Sequence, residues 1–320
     1  MRANLPGFLL GVLISAITLT VTDIAAQPTK DEQAAARIDS VRRPAGQARM
    51  QHWTESTRER ARPMRLPQIN PQNIQTTARA RSLRHGVPGS TEAKKVSSGQ
   101  KYSGDVRSTP LHWAGKLFFS ESDGDYSCSA QFISPRVILT AAHCVRDDES
   151  GNWWTDFNFA LQYNQGRYAE SYGYECVATK HGWVQAGDEK YLYDYAMLLL
   201  DHESTTGYFG ARWNWEGVDG LTKIGYPRGI RDGEVIQVDE GQASVNGGLV
   251  ALNHGNTADQ HGSSGGAWIA DFQYDSTAHG MNQIASVQSF NYGALPGTEF
   301  GPYFNDDFKE LWDYVERGCK

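Results

Sequence analysis

The 320-residue chain is 39% hydrophobic and 21% charged, with 30 Lys plus Arg against 37 Asp plus Glu and a formal net charge of −7. This is enough apolar material for a packed core in one large domain or two ordinary ones, and it excludes a chain disordered throughout. No phosphate-binding glycine loop or nicotinamide fingerprint lies beside a suitable strand and helix, and His112, His254 and His279 lack metal-ligand spacing, so neither a cofactor nor a catalytic metal is expected.

In chain order, the first element is the apolar run Leu5 to Val21, which follows Arg2 and ends at Asp23-Ile24-Ala25-Ala26. It reads as a signal peptide over residues 1–26, with no membrane anchor left after cleavage and a secreted or periplasmic destination. Residues 27–101 form a second region rich in Arg, Gln, Pro, Ala and Thr, expected to be largely disordered. Residues 27–100 hold 14 basic against 6 acidic side chains, a net of +8, whereas residues 101–320 hold 15 against 30, a net of −15. Opposite charge suits a pro-segment lying on the following domain, and a solvated spacer is the alternative. A nucleic-acid partner is not expected, because no folded recognition motif accompanies the basic residues. Lys94-Lys95 and Lys101 are candidate processing points.

From Tyr102 to Lys320 the texture is that of an all-β domain. Short runs at Lys116 to Phe119, Ser129 to Ile133, Val137 to Leu139, Ala196 to Leu200, Val235 to Val238 and Ile284 to Phe290 alternate with turn-rich stretches. Ser134-Pro135-Arg136 reads as a hairpin turn. Near the end, Asn305 or Asp306 can cap a helix that places Phe308, Leu311, Trp312 and Val315 on one face.

Three strings carry the chemistry. In Thr140-Ala141-Ala142-His143-Cys144 an apolar strand leads into small residues that leave room for the imidazole to turn. Asp194 opens Asp194-Tyr195-Ala196-Met197-Leu198, where a carboxylate entering an apolar strand needs a partner such as a histidine N–H. Ser264 lies in Gly262-Ser263-Ser264-Gly265-Gly266, whose glycines allow tight turns and close backbone approach. A serine nucleophile needs a base within hydrogen-bond reach and a third group that orients the base, and these three residues supply the set. The four cysteines, Cys128, Cys144, Cys176 and Cys319, lack a CxxC pair and allow three disulfide pairings. The acidic run Asp147-Asp148-Glu149 is where a structural calcium ion would be sought.

Residues from about Ser108 to Gly318 resemble the chymotrypsin-fold, trypsin-like serine peptidases, and in particular the bacterial branch that includes the glutamyl endopeptidases. The resemblance implies two six-stranded antiparallel β-barrels with the active site between them and a short C-terminal helix, in a domain over residues 102–320. It implies a catalytic triad of His143, Asp194 and Ser264, an oxyanion hole from the backbone N–H groups of Gly262 and Ser264, and polypeptide substrates. It implies a Cys128–Cys144 disulfide bracing the histidine loop, which leaves Cys176 to pair with Cys319. Ser289, Phe290 and Asn291 fall in the segment that pairs with the substrate backbone, and Ser289 also approaches the catalytic aspartate. Asp259 either lines the primary pocket, favouring Lys or Arg, or braces its own loop.

Two departures matter. Glutamyl endopeptidases carry a histidine just before the Ser289 position, where this chain has Gln288. Trypsin has an aspartate at the Ser263 position that pairs with the newly freed N-terminal amine, an ion pair that Ser263 cannot make. The leading expectation is an exported serine endopeptidase working through an acyl-enzyme; the alternative is a catalytically silent relative that binds peptides or proteins in the same cleft.

Overall fold

A computed structural model describes residues 29–44, 52–69, 101–217 and 220–320. Residues 1–26, expected to be a signal peptide, and the candidate processing point Lys94-Lys95 lie outside the described residues. The N-terminal part contains α1 (Lys30–Ala36), β1 (Ile38–Arg42), α2 (Glu55–Arg60), β2 (Arg62–Pro63) and β3 (Lys101–Ser103). Then come β4 (Ala114–Glu121), β5 (Gly124–Phe132), β6 (Val137–Thr140), β7 (Thr155–Leu161), β8 (Glu170–Tyr172), β9 (Tyr174–Lys180), the one-turn α3 (Gly182–Gln185) and β10 (Ala196–Leu200). The remainder comprises β11 (Gly210–Ala211), β12 (Gly220–Gly225), β13 (Gln237–Asn246), β14 (Leu249–Asn253), β15 (Ala267–Ala270), β16 (Gln283–Val287), β17 (Phe290–Asn291), β18 (Thr298–Pro302) and α4 (Asp306–Glu316).

Both sheets close. β8 pairs with β7 while β9 pairs with β10, and only Gly173 separates β8 from β9, so the two act as one bent strand. The first sheet is thus a barrel in the order β4, β5, β6, β10, β8/β9, β7. β16 and β17 likewise form one bent strand, bonding β15 and β18 respectively, and close a second barrel with β12, β13 and β14. The expected pair of six-stranded barrels is present once each bent strand is counted as one.

Side-chain alternation along the strands explains how the barrels pack. Leu117 and Phe119 of β4 join Ile138 and Leu198 in the core of the first barrel. Phe118, facing the other way, joins Leu139 and Met197 in a second cluster that also takes Ile224, Ile269 and Ile284 from the second barrel and Phe308, Leu311 and Val315 from α4. This shared layer fixes one barrel against the other. Asn305 caps α4, its side chain accepting from the N–H groups of Asp307 and Phe308. Disulfides join Cys128 to Cys144 and Cys176 to Cys319, the second tying the end of α4 to β9.

The basic segment, expected to be largely disordered, is folded onto the barrels over residues 29–44 and 52–69. β1 pairs antiparallel with β9 from Ile38↔Lys180 to Arg42↔Cys176, and the Asp39 carboxylate bridges Arg146 at 2.7 Å and His181. Trp53 is buried against Phe118, with ring centroids 5.4 Å apart. Arg58 is buried too, its guanidinium donating to Asn158 Oδ1 at 2.9 Å and to Ser171 Oγ at 3.1 Å. The physical reason is that strand edges and polar niches already built by the barrels supply the order that the segment's own composition lacks.

Candidate active site

β6 and β10 run side by side with Thr140 opposite Ala196, so the chain leaving one strand and the chain entering the other emerge at the same place. His143 follows β6 in a single 3₁₀ turn, Ala142–Cys144, and Asp194 ends the 3₁₀ helix that leads into β10. The Asp194 carboxylate accepts from His143 Nδ1 at 2.8 Å and from the His143 backbone N–H at 2.9 Å. Ser289 Oγ donates to the same carboxylate. Burial alone would raise the pKa of this fully buried acid, but the adjacent imidazole and these donors outweigh it and hold it below the usual value. Trp154 Nε1 donates to the His143 carbonyl at 3.1 Å, a support that the sequence strings did not indicate.

The serine loop is fastened to both barrels. Ser129, next to Cys128 on β5, donates its N–H to the Ser264 carbonyl at 2.8 Å and its hydroxyl to the Gly262 carbonyl at 2.9 Å. From the second barrel, Gln288 accepts from the Gly265 N–H at 2.8 Å. Gly265 has φ +75°, and a Cβ there would come within 2.1 Å of Thr140 Oγ1, so the loop lies directly on the strand leading to His143. Ser264 Oγ and His143 Nε2 are both buried and have no hydrogen-bond partner among the described residues.

Ser263 donates its hydroxyl to the Gln260 carbonyl at 2.7 Å, bracing the loop from within. Lys223 Nζ reaches Gln260 Oε1 at 2.8 Å and also the Glu299 carboxylate, which accepts from His254 Nε2 at 2.9 Å. Lys223, His254 and Glu299 are all buried. Desolvation would raise Glu299, but Lys223 and then His254 hold it low. Sequence reading missed this cluster because its members are 31 and 45 residues apart, although a lysine inside the apolar β12 pattern was a signal.

The remaining expected residues sit as follows. Asp259 accepts from the His261 N–H at 3.0 Å and pairs with the His261 ring at 2.9 Å, so its carboxylate is turned onto its own loop. Phe290 is buried and stacked on Phe300, with centroids 5.2 Å apart. Gln288 Nε2 donates to the Phe290 carbonyl at 3.4 Å. Asn291 and Gly262 are engaged by the N-terminal segment. Gly262 N–H donates to the Met64 carbonyl at 2.8 Å, Asn291 N–H donates to the Pro67 carbonyl at 3.1 Å, and Ile69 N–H donates to the Asn291 carbonyl at 3.0 Å. His143 comes close to the sulfurs of Cys128 and Cys144, but those sulfurs are bonded to each other and offer no thiolate.

A carboxylate-oriented imidazole and a glycine-framed serine at the meeting of two β-barrels place the protein in the class of double-barrel serine peptidases. The family model for trypsin matches residues 102–293. The chain belongs to the trypsin family. It is 31% identical over 107 residues to a glutamyl endopeptidase of Bacillus licheniformis, a match covering 32% of this chain and 33% of that protein. The matched segment therefore spans about a third of the curated relatives' length. Among solved structures, a thermostable serine protease AL20 from an extremophilic microorganism aligns with a TM-score of 0.54 and 25% identity, over 64% of this chain and 96% of that one. A Glu endopeptidase aligns with a TM-score of 0.57 and 19% identity, over 69% and 99%, and shows the fold.

Proposed function

We propose that the protein is an exported serine endopeptidase hydrolysing polypeptides through an acyl-enzyme. Ser264 Oγ attacks the scissile carbonyl, and His143 Nε2 takes the hydroxyl proton and returns it to the leaving amine. Asp194 fixes the tautomer by accepting the Nδ1 proton and stabilises the imidazolium as it forms. The N–H groups of Gly262 and Ser264 hold the developing oxyanion, and water then hydrolyses the acyl-enzyme. The observation that carries this reading is the grip on His143: both Asp194 oxygens hold one residue, through its ring at 2.8 Å and its backbone at 2.9 Å. A carboxylate kept buried and charged at that position is costly unless its partner is the point of the arrangement.

Export rests on the sequence of residues 1–26, and among the described residues no helix is long and apolar enough to cross a membrane. The domain boundary near residue 101 belongs to the same reading, with residues 27–101 as a pro-segment. Asp259 is committed to its own loop and Gln288 replaces the histidine of the glutamyl branch, so neither predicts the residue preferred at the scissile bond. The test is cleavage of a diverse peptide library by the processed protein alongside Ser264→Ala, with products identified by mass spectrometry. Cleavage lost in the variant supports the mechanism and reads the preference directly; equal cleavage by both proteins rules it out.

A further inference from the structure

We infer that residues 62–69 are a strap that occupies the peptide-docking groups of the cleft and keeps the full chain latent, an inference that rests on the peptidase reading above. The strap crosses from one barrel to the other. On the first barrel β2 lies parallel to β5, with Arg62 opposite Tyr126 and Pro63 opposite Ser127, and Met64 N–H donates to the Ser127 carbonyl at 2.9 Å. At the seam the Met64 carbonyl takes the Gly262 N–H, the donor assigned to the oxyanion. On the second barrel Gln68 bridges Asn291 in parallel, flanked by the Pro67 and Ile69 hydrogen bonds to Asn291.

A polypeptide adding to the substrate strand would need the same Asn291 groups and the same Gly262 N–H, because main-chain hydrogen bonds are what hold an added strand. Strap and substrate are therefore mutually exclusive. Leu66 falls between the Gly262 and Asn291 attachments; it is 3% exposed, yet it belongs to none of the three apolar clusters of the barrels. Its side chain is therefore enclosed where the strap crosses between its attachments, outside the barrels' own apolar clusters. With the strap in place Ser264 is 0% and His143 5% exposed, a burial at odds with a nucleophile that must meet a polypeptide.

The anchors lie away from the chemistry. Trp53 and Arg58 are buried on the first barrel, and Arg62 stacks over Tyr126 at 4.3 Å while its guanidinium donates to the Asp123 carbonyl at 3.1 Å. The strap can thus be weakened by substitutions that leave His143, Asp194 and Ser264 in place.

The experiment measures the rate at which a fluorophosphonate labels Ser264 in the full chain, compared with Leu66→Asp and with Ile69→Pro, each checked for folding by its thermal transition. Leu66→Asp expels an apolar group from a closed space, and Ile69→Pro removes the donor to Asn291 without adding charge. Leu66→Asp should label about tenfold faster than the unaltered chain or more, the factor expected from losing the burial of one leucine side chain, and Ile69→Pro about threefold faster or more, the factor expected from losing one hydrogen bond. Equal, measurable rates in all three folded proteins would overturn the strap while leaving the peptidase reading intact. No labelling in any of them would overturn the strap and the assignment of Ser264 together. Labelling accompanied by excision at the Met64–Arg65 bond in the unaltered chain would make residues 62–69 a substrate, not an inhibitor, and would also overturn the proposal.

Discussion

At the residue scale, the buried ions give the sharpest expectations. Lys223→Met leaves the Glu299 carboxylate inside the second barrel with His254 as a remaining hydrogen-bond partner, and stranding one member of a buried pair costs about 3 to 5 kcal/mol. Denaturant unfolding should show a loss of that order, with activity falling as well, because Gln260 and the serine loop lose their brace. Glu121 behaves in the opposite sense. Burial first, and then the neighbouring Asp123 charge, push its carboxyl up to about 7 from 4.5. A raised carboxyl contributes stability that is present below the unfolded value and lost as pH rises through the folded one, so its effect lies between about pH 4.5 and 7. Glu121→Gln should flatten the decline in thermal stability across that window. The side chain is half exposed, so solvent screening leaves an effect of about 1 kcal/mol. Ser264→Ala should lower kcat by about 10⁴-fold or more with KM little changed, as expected when an interaction made only in the transition state is lost.

At the scale of elements, the disulfides and the serine loop show what was legible and what was not. The histidine and serine strings are readable because each is local: a strand, small residues and a reactive side chain fall within a few positions. The hairpin turn at Ser134-Pro135-Arg136 and the Asn305 cap are local in the same way. Cys176 and Cys319 are 143 positions apart, and nothing in their spacing selected the pair. Replacing both by serine frees the end of α4 and should lower stability by about 2 to 4 kcal/mol, measured as a shift in the denaturation midpoint under non-reducing conditions. The N-terminal segment reads as largely disordered because it is rich in Arg, Gln, Pro, Ala and Thr and has very few aromatics. Its order is borrowed: β1 and β2 are held by backbone bonds to existing strands, and Trp53 is buried in an apolar cluster that the barrels supply. One local signal was available. Thr29 and Glu32 form a capping box at the start of α1, with Glu32 N–H donating to Thr29 Oγ1 at 3.2 Å and Thr29 N–H to Glu32 Oε2 at 2.7 Å.

For the whole molecule, the charge division of +8 over residues 27–100 against −15 over residues 101–320 is a long-range bias toward the docked state. It does not by itself position the strap, which is held by backbone hydrogen bonds and buried side chains. Ionic strength should therefore change how fast a separated N-terminal segment finds the barrels more than how tightly it stays.

The β1–β9 ladder, five residues long and separate from the contacts to Gly262 and Asn291, gives the strap a second foothold. While the chain is continuous, the tether fixes the strap at a high effective concentration in its own cleft. A cut anywhere between residues 70 and 100 abolishes the tether but breaks neither foothold, so scission and activation become separate events. After the cut, the segment is an ordinary ligand with a dissociation constant. Activity should then appear on dilution, rising as the total concentration of the nicked protein falls and reversing when the sample is concentrated, which a progress curve at several dilutions would measure.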